Sequence, residues 1–129
     1  MTMIESRTDE LLVAHLLRRA GFGGTTTELR HFAYRRYEDV VDELVNAEDT
    51  TAMPQDIIRR YHVDMSDLRT RPSSSGNWLY HMVNTDAPFV EKVNLFWHRV
   101  FATGQTKLIQ GKAMATQLDM FRKYGLGKF

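Results

Sequence analysis

Apolar residues in this chain recur at intervals of three and four, and those intervals divide it into helical stretches. Leu12, Leu16 and Ala20 form one stripe, widened by Val13 and Leu17. The first helix is expected from Thr8 to Ala20. Ser6, with Asp9 three residues later, has capping-box spacing, and Asp9 and Glu10 put negative charge at the positive end of the helix dipole. Arg18 and Arg19 fall in its last turn, and Gly21 follows as a left-handed cap. Thr25 and Glu28 repeat the capping-box spacing ahead of Leu29, Phe32 and Ala33. After a break near Arg35 and Arg36, the residues Tyr37, Val40, Val41, Leu44 and Val45 give the clearest amphipathic pattern, with Asp39, Asp42 and Glu43 on its polar side.

The pattern stops between Asn46 and Pro54. A short helix is expected from Pro54 to Tyr61, with Pro54 at its start and Ile57, Ile58 and Tyr61 turned inward. The stretch Arg69 to Gly76, where Pro72 precedes three serines and a glycine, reads as a flexible loop between two helical groups. From Asn77 the chain is helical again. Trp78, Leu79, Met82 and Val83 make one face; Phe89, Val93, Phe96, Trp97, Val100 and Phe101 make the next, in a helix ended by Gly104. The last helix carries Met114, Leu118 and Phe121, with Arg122 and Lys123 near its end and Gly125 as cap. No run alternates with period two, and no repeat recurs at a fixed period. The fold class is therefore all-α: an irregular bundle of about six helices without a sheet, centred on the helix from Phe89 to Thr103.

Composition narrows the function more than the fold. A chain of 129 residues is the size of one domain, and 43% hydrophobic with 26% charged residues is a globular balance. Cysteine is absent, which excludes disulfides, thiolate metal sites and cysteine nucleophiles. The net charge is +1, but residues 1–65 hold 8 arginines against 12 acids, while residues 66–129 hold 9 basic residues, including every lysine, against 4 acids. Such asymmetry suits two helical layers that attract each other, or a basic face that meets further sequence. A nucleic-acid patch is the less favoured reading. Residues 1–9 are polar and mixed in charge, without a targeting signal, and no apolar run approaches the roughly 20 residues that span a bilayer. The chain as given reads as cytoplasmic, with no membrane partner.

His98, between Trp97 and Arg99, is the candidate catalytic residue, as a general base. The plainer reading is a half-buried histidine whose ring nitrogen serves a backbone carbonyl. Zinc needs three or four convergent ligands, and no histidine or acid stands three or four residues from His98, so no metal site and no cofactor are expected. His15, Arg18 and Arg19 share a helix face and are the candidate binding residues, for a phosphate or carboxylate. The structural alternative leaves them solvated, or pairs one arginine with the acidic helix around Asp39 to Glu43. The loop Gly21-Phe22-Gly23-Gly24 lacks the Lys-Ser/Thr ending of a phosphate-binding loop and follows no strand; it reads as a helix cap with Phe22 plugged into the core. The aromatics Trp78, Phe89, Phe96, Trp97 and Phe101 read as core. His31, His62 and His81 have no partner pattern, and no Gly-x-Ser-x-Gly nucleophile motif occurs.

Three stretches together resemble one family. His15-Leu16-Leu17-Arg18-Arg19-Ala20-Gly21-Phe22-Gly23 is similar to its N-terminal signature. Leu95-Phe96-Trp97-His98-Arg99-Val100-Phe101-Ala102-Thr103 is similar to its second, and Tyr124 to Phe129 resembles a third, a Leu-Gly-Asn-Phe-like turn. The family is bacterial domain-of-unknown-function family 1800, and the resemblance covers nearly the whole chain. It implies a largely helical protein of several hundred residues, so residues 1–129 are expected to be one helical region, the N-terminal part of a larger domain. It supplies no activity. Many members resemble exported proteins, which leaves the compartment of the intact protein open. The family's second motif commonly has another histidine two residues after the first; here that position is Val100, which weakens any paired-histidine metal site. The first reading of function is thus a helical structural segment packing against later sequence of the same protein. Two alternatives stand beside it. One is a hydrolase-like enzyme in which His98 with Arg18 or Arg19 is completed by later residues. The other is a helical module binding a protein or nucleic acid.

Overall fold

The computed structural model describes residues 3–47, Arg60, residues 71–101 and residues 111–127. They form α1 (Met3–Ala20), α2 (Thr26–Ala33), α3 (Tyr37–Asn46), α4 (Arg71–Asn84), α5 (Pro88–Phe101) and α6 (Gly111–Tyr124), with no strand among the described residues. The all-α reading stands, with six helices among the described residues where about six were expected. The short helix expected from Pro54 to Tyr61 lies outside the described residues except for Arg60, which is helical. No helix among the described residues is long and apolar enough to cross a membrane.

The first layer is built from α1, α2 and α3. Val13, Leu16, Leu17 and Ala20 of α1 are buried against Val40 and Leu44 of α3, edged by Leu29, Phe32, Val41 and Phe89. Each large side chain taken fully from water here contributes about 1.5–3 kcal/mol. Leu12, expected on the inner stripe, is exposed, because that stripe turns through Val13 instead. Helix α1 also begins at Met3, so Ser6 and Asp9 lie inside it and do not mark its start.

Helix α2 starts at the capping box that its spacing predicts. The Glu28 backbone N–H donates to Thr25 Oγ1 at 3.3 Å, and Thr25 N–H donates back to Glu28 Oε2 at 2.6 Å. The backbone bond from Thr25, then its hydroxyl, hold the Glu28 carboxyl below its ordinary value, against a smaller opposing effect of burial. The break before α3 falls at Arg35 and Arg36, where Arg35 pairs with Glu43 at 2.5 Å. That surface pair contributes about 0–1 kcal/mol.

Two glycines at the end of α1 divide a role expected of one. Gly23 takes the left-handed backbone, at φ 102°, and donates its N–H to the Leu17 carbonyl at 3.2 Å. Gly21 is needed for space: a Cβ there would sit 2.9 Å from Pro88 Cβ, at the first residue of α5. Phe22 is not plugged into the core. It is exposed, with Lys92 Nζ 5.2 Å from its ring centre.

The expected loop from Arg69 to Gly76 is helical from Arg71 onward, as the first turns of α4; residues 69 and 70 lie outside the described residues. Proline and serine suggested a loop, but the first turn of a helix tolerates both, since its N–H groups have no intrahelical acceptor. The face of α4 differs as well. Leu79 and Val83 are exposed, Ser73 is buried, and Trp78 and His81 are half-buried.

Helix α5 holds the two layers together. It packs on α1 and α3 at one side and on α4 and α6 at the other, so it is the central helix that the sequence predicts. Its orientation departs from the expected one, although Phe89, Val93 and Trp97 are half-buried. Glu91 and Asn94 are 1% and 0% exposed, while Phe96, Val100 and Phe101 are 57%, 54% and 52% exposed.

Candidate functional site

Glu91, Asn94 and His98 stand at i, i+3 and i+7 on α5, so one helical face carries all three toward α4 and α6. Both Glu91 oxygens are engaged. Oε1 accepts from Arg122 Nε, and Oε2 accepts from Trp78 Nε1 at 3.1 Å, Arg122 Nη2 at 3.4 Å and Asn94 Nδ2 at 3.5 Å. The Arg122 fork is bidentate on Glu91, and its Nη1 donates to Asp119 Oδ1 at 2.8 Å. Burial works to lower the Arg122 guanidinium, but the hydrogen bond and charge of Glu91, with a further contribution from Asp119, outweigh it and raise the group above its ordinary value.

This pair orients the candidate catalytic residue at one remove. The Trp78 indole, fixed by its bond to Glu91, meets the His98 ring edge-on, with centroids 5.0 Å apart and planes at 79°. His98 Nδ1 is buried without a hydrogen-bond partner among the described residues. The same holds for Asn77 Nδ2 and Asn94 Oδ1. His98 and Asn77 border a cavity of about 140 Å³ between α4, α5 and α6, shared with Ser74, Ser75, His81, Asp119 and Arg122 and floored by Trp78, Met114 and Leu118. Among the described residues no three His, Cys, Asp or Glu side chains group closely enough to hold a metal ion. What the arrangement offers chemically is hydrogen bonding and proton transfer, from an imidazole, an amide and hydroxyls.

The sequence candidates separate. His98 lies at the cavity. His15, Arg18 and Arg19 are exposed on α1, and Arg19 borders an apolar hollow with Leu16, Val41, Val45 and Phe89. The structure does not bring these three to His98, where the arginine is Arg122. The acidic helix α3 pairs instead with Arg35, through Glu43, and more loosely with Arg36, through Glu38 at 4.0 Å. His81, which showed no partner pattern, borders the same cavity as His98, whereas His62 lies outside the described residues. Reasoning from sequence missed Glu91, Asn94 and Arg122. The signal was present as a polar stripe on α5 at i, i+3 and i+7, overshadowed by the aromatics on the opposite side.

The three motif stretches converge on α5. Gly21 of the first touches Pro88, the residue that opens α5. Trp97 of the second donates its indole N–H at 2.8 Å to the carbonyl of Gly125, in the third. The family model described as Protein of unknown function (DUF1800) matches residues 15–129. The chain belongs to the DUF1800 family. No curated protein and no solved structure matches it. In this DUF1800 chain the match begins at His15 and takes in the last six residues of α1 and the whole of α2 to α6, so the polar cavity lies within the family region.

Proposed function

We propose that the chain is a helical structural segment whose aromatic outer face packs against further sequence of the same polypeptide. The supporting observation is the orientation of α5. A helix that buries Glu91 and Asn94 while exposing Phe96, Val100 and Phe101 leaves an apolar surface, and such surfaces mark interaction sites. The surface continues onto α6 through Met120 and Tyr124 and, just past its end, Leu126, all exposed. Between the two helices lies an apolar hollow of about 220 Å³ bordered by Trp97, Phe101, Met120 and Phe121, in which the Phe101 and Phe121 rings stack at 5.5 Å. Knobs from another segment fit such a hollow, as they fit the groove between any two packed helices.

Thiol labelling tests this reading, because the chain has no cysteine of its own. Val100→Cys is expected to react at once in residues 1–129 alone and to be protected in the protein as its gene encodes it. Equal, fast labelling in both would overturn the reading. Protection that grows with the concentration of residues 1–129 would reassign the surface to a second copy of the chain.

A further inference from the structure

The cavity at His98 supports a second inference from different residues. We propose that it binds a small uncharged organic molecule presenting a carbonyl or hydroxyl oxygen. Two side-chain atoms of its lining residues, Asn77 Nδ2 and His98 Nδ1, are buried without a partner among the described residues, as is Asn94 Oδ1 one turn before His98 on α5. A buried polar atom left unpaired costs about 1–3 kcal/mol, and native structures keep few of them. Two at one hollow point to a ligand that completes them. Asn77 contributes a donor for an acceptor oxygen, and His98 contributes a ring nitrogen for a second group.

Charge decides the class. Arg122 already faces two carboxylates, Glu91 and Asp119, so its guanidinium is neutralised and the three fixed charges sum to one negative. Among the described residues that line the cavity, an anion therefore finds no free cation. The carboxylates draw a cation into it weakly: the buried acid, Glu91, has both oxygens engaged, and Asp119 is largely exposed to water with one oxygen on Arg122. Size sets the scale. A volume of about 140 Å³ holds roughly four or five water molecules at about 30 Å³ each, which suits a molecule of a few non-hydrogen atoms. Trp78, Met114 and Leu118 give it an apolar floor, as small-molecule sites commonly have.

Nuclear magnetic resonance of the Asn77 amide and the His98 ring, with acetamide, acetate and methylammonium as probes, tests the inference on the unmodified chain. Acetamide is expected to shift both signals saturably with roughly millimolar affinity, as befits so small a ligand. The other two probes should leave them unmoved. Asn77→Ala should weaken acetamide binding about fivefold, the equivalent of one neutral hydrogen bond. Saturable binding of acetate or methylammonium in preference to acetamide would overturn the uncharged class, and no saturable shift with any probe would reduce the cavity to a water site. Because these signals come from the buried polar side of α5, the outcome is independent of what covers its aromatic side.

Discussion

Glu91 is a charged residue in the middle of a packed helix, and its four hydrogen bonds explain how it can be there. Taking a carboxylate out of water costs several kcal/mol, and only a well-placed counter-charge offsets that. Arg122 supplies it in fork geometry and stays partly in contact with solvent and with Asp119. Loss of the carboxylate would leave Arg122 charged, since a guanidinium keeps its proton in proteins and Asp119 still faces it. Glu91→Gln is therefore expected to lower stability by about 3 kcal/mol, at the low end of the range for breaking a buried pair because Asp119 remains. The double change Glu91→Leu with Arg122→Met should recover most of that loss. Urea unfolding measures both, and a Glu91→Gln variant within about 0.5 kcal/mol of the parent would show that the pair is not what holds these helices.

At the level of single helices, most of what could be read from the sequence depended on local chemistry. The capping box at Thr25 and Glu28, the break at Arg35 and Arg36 and the inner stripe of α3 are short-range effects, and they occur where the spacing places them. The direction in which α5 faces is not a local property. Its aromatics are more numerous and more apolar than its polar stripe, so periodicity alone turns them inward; the Arg122 side chain, arriving from a helix thirty residues on, turns Glu91 inward instead. For the same reason His81 and His98 looked unrelated until α4 and α5 were set side by side. The junction of α1 with α5 also depends on tertiary contact. Gly21→Ala is expected to cost about 1–3 kcal/mol by forcing a methyl group against Pro88, as overpacking does. That cost should shrink in a Pro88→Gly background. If it does not, the glycine serves something other than the approach of the two helices.

For the molecule as a whole, the arrangement makes α5 the common wall of two layers. The first layer is the aliphatic core of α1 and α3, and the second is the polar cluster of α4 and α6. Layers that share a wall should unfold together. Both tryptophans lie in the second layer, in α4 and α5, so their fluorescence reports that half, while far-ultraviolet circular dichroism reports helices in both. The two transitions are expected to coincide on heating. Separate midpoints would mean that α1 to α3 stand without α5. The Glu91–Arg122 pair has one more effect at this scale. Sliding α6 along α5 by one helical turn, about 5.4 Å, would still bring oily residues against oily residues. It would also strand Glu91 in the interior with no guanidinium in reach. Apolar contacts alone allow several alignments of two helices, much as a smooth rail lets a carriage stop anywhere; one buried charge and its single counterpart act as the notch that fixes the stop.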